Sequence, residues 1–230
     1  MAGIGWSYEG ATGPEHWGAL DSGNAQCAEG QRQSPVDITG ATQPHPDQLR
    51  FSYTPSTLNL VNTGRTIQVN YDPGSCLTIG SERYELLQFH FHSPSEHTFD
   101  GKTYDMEIHL VHRSADRQLA VVAILMAVGE ENATIQTLWD NLPSRVGIDT
   151  AVRGVTINVQ AWIPPETAYY AYTGSLTTPP CSEGVQWIIL RTPMVVSAAQ
   201  VRTFTAIFPR SARPIQPLND RVVFEGVYRP

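Results

Sequence analysis

Leu86-Leu87-Gln88-Phe89-His90-Phe91-His92, together with Glu107-Ile108-His109 a short way downstream, decides how this chain is read. In an extended strand successive side chains alternate faces, so Gln88, His90 and His92 share one face while Leu87, Phe89 and Phe91 take the other. The second segment, Tyr104 to His112, alternates in the same way. It puts Glu107, His109 and Val111 on one face and Ile108, Leu110 and His112 on the opposite one. Antiparallel pairing of the two segments lets three imidazoles converge, and parity selects His109 over His112 as the third. Three neutral nitrogens with one position left open suit a catalytic zinc site, because structural zinc sites close with four protein ligands and favour Cys. Gln88 and Glu107 stand two residues before His90 and His109 on the same faces, placed to hold the second nitrogen of each ring. Burial in a core strand explains one histidine, but two at i and i+2 beside a Gln are harder to explain that way.

A chain of 230 residues, 41% hydrophobic and 16% charged, is long enough for a substantial core in one large or two small domains. Its net charge of −7 and lack of any Lys/Arg cluster argue against a nucleic-acid partner. The longest apolar run, Leu119 to Val128, is too short for a membrane span, which takes about 20 residues, and reads as a strand buried on both faces. Met1 to Trp6 has no basic region followed by an apolar one, so the expectation is a cytosolic protein or one whose leader has been removed. Of the three cysteines, Cys27 and Cys181 lie beside Gly-, Ser- and Pro-rich loop sequence and Cys76 follows a turn signal; spacing alone leaves their pairing open.

The segment from Trp6 to Trp17 reads as an irregular packed arm. Gln33 to Ile38 reads as a turn entering a short strand, and His45, between two prolines, as a surface loop residue. Strand-like runs follow at 58–61, 66–71, 84–92, 104–111, 119–128, 155–159 and 185–190, separated by turn signals such as Asn62-Thr63-Gly64 and Asp72-Pro73-Gly74. Two helices are predicted, Thr134 to Leu142 ended by Pro143, and Ser197 to Ile207 with Ser197 as N-cap. The tail, Arg210 to Pro230, is expected to return as an edge strand. With no internal repeat or linker, the chain reads as one mainly β domain.

Glu96, three residues beyond the His-x-His strand in its own loop, and Thr177, in a Pro-stiffened turn, are the remaining polar residues of interest. A Thr hydroxyl can donate to a buried carboxylate while accepting from another group. Spacing alone leaves Glu96 a solvated loop carboxylate and Thr177 a turn hydroxyl bonded to local backbone. A cupin is the competing metalloprotein: His90-x-His92 followed by Glu96 fits part of its first motif, with Glu96 a ligand and iron or manganese the metal, but the flanking glycines are missing.

Taken in order, the motifs Trp6-x-Tyr8, Gly13-Pro14-Glu15-His16-Trp17, Gln33-Ser34-Pro35-Val36-Asp37-Ile38, Gln88-Phe89-His90-Phe91-His92, Ser95-Glu96-His97-Thr98, Glu107-x-His109-x-Val111-His112 and Ser175-Leu176-Thr177-Thr178-Pro179-Pro180 resemble the α-class carbonic anhydrases, most closely their bacterial, exported branch. The likeness runs almost end to end. It implies a mainly β single domain over residues 1–230, with a twisted, mostly antiparallel sheet of about ten strands, short outer helices and a conical cleft. It further implies Zn2+ bound by His90, His92 and His109, oriented by Gln88 and Glu107, and hydration of carbon dioxide to bicarbonate by attack of zinc-bound hydroxide. Thr177 would accept from that hydroxide and donate to Glu96, which stays ionised. Val111, Val121, Leu176, Val185 and Trp187 would form the apolar wall for carbon dioxide, with Thr178 beside it, and Tyr8 and Asn62 would order cleft water. Arg65 stands where the family usually has a proton-carrying His, so shuttling there is in doubt and stronger dependence on external buffer is expected, because Arg does not give up a proton near neutral pH.

The same resemblance implies a Cys27–Cys181 disulfide, hence a periplasmic or secreted protein. Cys76 is then a free thiol or an intermolecular link producing a homodimer. His97 and His112 would be buried structural histidines. Inhibition by sulfonamides and small anions is expected, with no nucleic acid and no membrane span. The contrasting expectation, a non-catalytic protein on the same fold, would show loss of zinc ligands; all three histidines are present, with Glu96 and Thr177.

Overall fold

The computed structural model describes residues 5–40 and 43–230. The strands, in chain order, are β1 (Asp37–Ile38), β2 (Gln43–Pro44), β3 (Leu49–Ser52), β4 (Ser56–Asn62), β5 (Ile67–Asn70), β6 (Cys76–Ile79), β7 (Glu82–His92), β8 (Thr98–Phe99), β9 (Met106–Ser114), β10 (Leu119–Val128), β11 (Asp149–Ile157), β12 (Thr167–Ser175), β13 (Glu183–Val196) and β14 (Phe224–Tyr228). The helices are short: α1 (Trp17–Leu20), α2 (Gln26–Glu29), α3 (Ala133–Trp139) and α4 (Ala198–Ile207).

Twelve strands form one sheet in the order β11-β4-β5-β7-β9-β10-β13-β12-β14-β2, with β6 pairing both β3 and β7 beside that path. Its pairs are antiparallel apart from β10–β13 and β14–β2. The apolar run predicted as a doubly buried strand is β10, at the middle of the sheet, flanked by β9 and β13. Val, Ile, Leu and Ala at nearly every position suit a strand with no solvent-facing side. One face carries the large core cluster, which includes Leu60, Val69, Phe89, Ile108, Leu110 and Ile188. The other carries a smaller cluster around Val121, Tyr172 and Trp187.

The sequence reading locates most of the longer strands within a few residues but misses the short β2, β3, β6 and β8 and the nine-residue β12, whose Thr167-Ala168-Tyr169-Tyr170-Ala171-Tyr172 puts apolar and aromatic side chains on both faces and therefore shows no polar alternation. The tail strand β14 lies one place in from the edge, because the two-residue β2 pairs with its outer side. Leu87 is a correction. The register between β7 and β9 shifts between Leu86 and Gln88, leaving Leu87 as an extra, bulged residue. Leu86 thereby joins Phe89 and Phe91 in the core, and Leu87 moves to the opposite face, lining a surface depression with Arg83, Glu85 and Arg113. Both helix expectations appear, α3 capped by Asn132 and α4 by Ser197 in a capping box with Gln200.

Cys27 and Cys181 form a disulfide that spans 154 residues and ties the N-terminal arm to the turn carrying Thr177. Cys76 is a free thiol at the start of β6 and is buried, as the first of its two expected states requires. His45 is not a free loop residue: it accepts or donates at Tyr169 Oη (3.2 Å) and packs edge-on to Tyr169 and Phe224.

Phe89 is fully buried, with Trp162 and Phe91 edge-on at 5.0 and 5.9 Å. Phe89→Ala is expected to lower unfolding free energy by about 3–5 kcal/mol through lost burial and a residual cavity. Val227→Ala, at a position 52% exposed, is expected to change it by less than about 0.5 kcal/mol. Denaturant titration of both variants checks the pair.

Candidate metal centre and cleft

β7 and β9 pair antiparallel with His90 directly opposite His109, and the alternation that follows the Leu87 bulge puts His92 on the same face. The three rings lie 4.5–5.4 Å apart between centroids, and one nitrogen of each lies within 4.8 Å of the others. Each ring has its second nitrogen already held. His90 Nδ1 meets Gln88 Oε1 at 2.9 Å, His92 Nδ1 meets the Ser211 carbonyl at 2.6 Å, and His109 Nε2 meets Glu107 Oε1 at 2.8 Å. Because a carbonyl or carboxylate oxygen only accepts, these contacts fix the tautomers, leaving Nε2 of His90, Nε2 of His92 and Nδ1 of His109 as lone-pair donors. His92 Nε2 is buried and has no partner among the described residues. Burial holds the pKa of His90 well below the usual histidine value, that of His92 down at about 4 and that of His109 below the usual value. The rings are therefore neutral at pH 7, the state in which imidazole binds a metal. The orphaned nitrogen and the all-nitrogen donor set fit a zinc ion.

Glu107 is fully buried and accepts four hydrogen bonds. Oε1 takes those from His97 Nδ1 and His109 Nε2, and Oε2 those from the backbone N–H groups of Glu96 and His97 at 2.7 and 2.8 Å. Burial alone pushes its pKa up, but the neighbouring His97 and His109 and their hydrogen bonds outweigh it and hold the carboxyl well below the usual value. The proximity of His97, Glu107 and His109 as a group is this hydrogen-bonded cluster. From His97 the chain of contacts continues to the Tyr172 hydroxyl (2.8 Å), from there to Ser34 Oγ (2.7 Å), and Ser34 Oγ accepts from the backbone N–H of Ser175 (3.0 Å). His112 bonds Tyr53 Oη and Ala120 O and lies on the core face, away from the three rings.

Glu96 is buried, not a solvated loop carboxylate. Its Oε1 accepts from the Arg213 backbone N–H at 2.8 Å; its Oε2 lies 3.9 Å from His109 Nδ1 and has no hydrogen-bond partner among the described residues. Burial pushes its pKa up to about 7, against the lowering influence of His109, the Arg213 amide and the Thr177 hydroxyl. The buried Arg213 guanidinium donates to Gln33 Oε1, Ser34 O and Cys27 O at 2.8–2.9 Å, and Gln33 Nε2 donates to Cys181 O. Arg213 thus joins its segment to Cys27 directly and to Cys181 through Gln33.

A cleft of about 210 Å³ reaches His90 and His92, lined also by Tyr8, Arg65, Gln88 and Thr178. Thr177 is buried. Val121, Val185 and Trp187 belong to the smaller apolar cluster, with Val111 and Leu176 packed on it, and Trp187 lies 4.8 Å from the His109 ring. Asn62 is buried, and its Oδ1 accepts from the Gly64 N–H. The cleft is lined also by Thr63, Thr66 and Gln68, which the sequence reading did not name. Gln68 was within reach of the strand alternation, since Ile67 and Val69 face the core. Ser211 lies 119 residues from His92 in a segment with no strand pattern, and no signal in the sequence points to it.

The chain matches the eukaryotic-type carbonic anhydrase family over residues 12–227. A carbonic anhydrase from a Nostoc species is 46% identical over 229 residues, covering 97% of this chain and 87% of that protein. A hyperthermostable carbonic anhydrase identified from an active hydrothermal vent chimney superposes with a TM-score of 0.92 at 42% identity, covering 96% and 99% of the two chains. The α-carbonic anhydrase from Thermovibrio ammonificans, solved with the inhibitor sulfanilamide, gives 0.92 at 37% identity, covering 97% and 100%. The chain belongs to the α-class carbonic anhydrases, within their bacterial branch, and is an enzyme of that class. That assignment overturns the cupin alternative.

Replacing Glu107 by Gln puts an amide donor where four hydrogen bonds are accepted. Glu107→Gln is expected to weaken zinc binding about 10- to 100-fold, measured by competition with a chromophoric chelator.

Proposed function

We propose that the protein catalyses the reversible hydration of carbon dioxide to bicarbonate and a proton, with zinc held by His90, His92 and His109. The observation that carries this reading is the set of three neutral rings, each with one nitrogen fixed by a different acceptor and the other aimed at a common point. Zinc bound there supplies a Lewis acid that lowers the pKa of water to about 7, a figure that comes from carbonic anhydrase itself rather than from this chain.

The chain's own residues do the rest. The Thr177 hydroxyl donates to Glu96 and accepts from the attacking water, which turns a lone pair of that water toward the carbon. Glu96 does this as a carboxylate, and positive charge held between the three rings opposes the upward push that burial gives its pKa. Val111, Val121, Leu176, Val185 and Trp187 offer carbon dioxide a dry surface with no hydrogen bond to satisfy, and Tyr8 and Thr178 face the cleft water. Gln88 and Glu107 set the two flanking ligand rings. Sulfonamide binding is supported by the solved complex of the Thermovibrio relative. The disulfide supports a periplasmic or secreted location, and no helix among the described residues is long and apolar enough to cross a membrane.

Stopped-flow hydration by zinc-replete protein tests the reading: activity is expected, lost on chelation and restored by zinc. Thr177→Ala is expected to lower kcat/KM about 100-fold with zinc content unchanged; full activity in that variant removes Thr177 from the mechanism.

A further inference from the structure

Hydration releases one proton per turnover, and something outside the reacting centre has to take it. Besides the metal-binding rings, the titratable side chains lining the cleft are Tyr8 and Arg65. Burial pushes the Tyr8 phenol well above its usual value, with Glu96 adding to the rise and Arg65 opposing it, and a guanidinium has no proton-accepting form near neutral pH. The acceptor therefore comes from solution.

The cleft opens beside a larger depression of about 520 Å³ that shares Trp6, Tyr8 and Arg65 with it and adds Arg210 and Glu9. Arg65 is held rigidly: Nε and Nη2 both donate to the Trp6 carbonyl at 3.0 and 2.9 Å, and its guanidinium carbon sits 4.1 Å above the Trp6 ring. Its Nη1 has no partner among the described residues. Arg210 is exposed and makes no hydrogen bond or ion pair among them. Among the described residues Glu9 is the one carboxylate lining this depression, and it forms no ion pair with either arginine. This depression thus presents two guanidinium groups and one carboxylate, in a chain whose net charge is −7; Tyr8 and Arg210 also border a neighbouring depression that carries Glu15.

We propose that this mouth is a docking site for an oxyanion base, with hydrogen phosphate as its type, that takes the proton directly at the cleft entrance. The inference rests on the hydration reading above. The step balances as CO2 + H2O + HPO4²⁻ → HCO3⁻ + H2PO4⁻: the proton leaves the hydrating water through cleft water, and one O–H bond forms on the docked phosphate. Arg65 supplies its unengaged Nη1 on a guanidinium already fixed by Trp6, and Arg210 a second positive charge. The dianion is held more tightly than the monoanion, so the protonated product leaves readily.

The test compares hydration rates at constant ionic strength as inorganic phosphate or the uncharged base 1,2-dimethylimidazole is raised, in native protein and in Arg210→Gln. The expected result is saturation with phosphate and a linear rise with dimethylimidazole. Arg210→Gln is expected to raise the half-saturating phosphate concentration about 5-fold, the size of one exposed charge pair, and to leave the dimethylimidazole line unchanged. Linear dependence on both bases, or an unchanged phosphate curve in Arg210→Gln, overturns the docking site while leaving the hydration reading intact. Calorimetric titration of zinc-free protein with phosphate decides the site without activity: binding weakened in Arg210→Gln supports it, and binding indifferent to that change overturns it. Absence of hydration in either base overturns the function and, with it, the proton-acceptor role.

Discussion

A single buried carboxylate, Glu107, sets the shape of everything around it. A charged group with no exposure is tolerable only when its acceptor sites are filled, and here four donors fill them: two imidazoles and two consecutive backbone N–H groups. The imidazoles are His109, which faces the metal position, and His97, which does not. The backbone groups belong to the loop that carries Glu96. Ligand orientation, loop conformation and the placement of the second carboxylate therefore share one anchor, and any side chain that cannot accept four bonds leaves several buried donors orphaned at once.

From that anchor the polar contacts reach outward without a gap. His97 passes to Tyr172, Tyr172 to Ser34, and Ser34 to Ser175, two residues before Thr177. On the other side Glu96 is held by the Arg213 backbone, and the Arg213 side chain grips the arm that the disulfide fastens to the Thr177 turn. The turn carrying Thr177 is thus clamped from strand β12 and from the N-terminal arm together. This is how residues as far apart as Gln33 and Arg213 bear on the position of one hydroxyl.

Much of this was legible in the sequence wherever a strict period of two applied. Parity alone put His90, His92 and His109 on a common face and His112 on the other, and it placed Gln88 and Glu107 beside the rings they meet. The failures mark where the period breaks or has nothing to act on. An inserted residue at Leu87 reverses the parity of everything before it, and a bulge leaves no mark in a run of apolar residues. Strand β12 was missed because both of its faces carry apolar and aromatic side chains. Ser211, Arg213 and the Glu107 cluster belong to loop geometry, where the contacts made by the loop residues join positions from 10 to 186 apart and no spacing rule connects them. The reading of Cys27 with Cys181 came from likeness to a family and not from the residues themselves.

The central parallel pair has a consequence for the order in which the molecule comes together. Strands β7 and β9 join across a short excursion of chain, whereas Ala120 of β10 finds Gln186 of β13 across 186 − 120 = 66 positions. Local pairing closes small loops at low entropic cost, and the parallel pair waits for a large one. During synthesis the three ring nitrogens and Glu107 all emerge before Thr177, which follows His109 by 177 − 109 = 68 residues. The nascent chain therefore carries all three proposed zinc ligands, and the carboxylate that holds one of them, well before it carries the residue proposed to orient the attacking water.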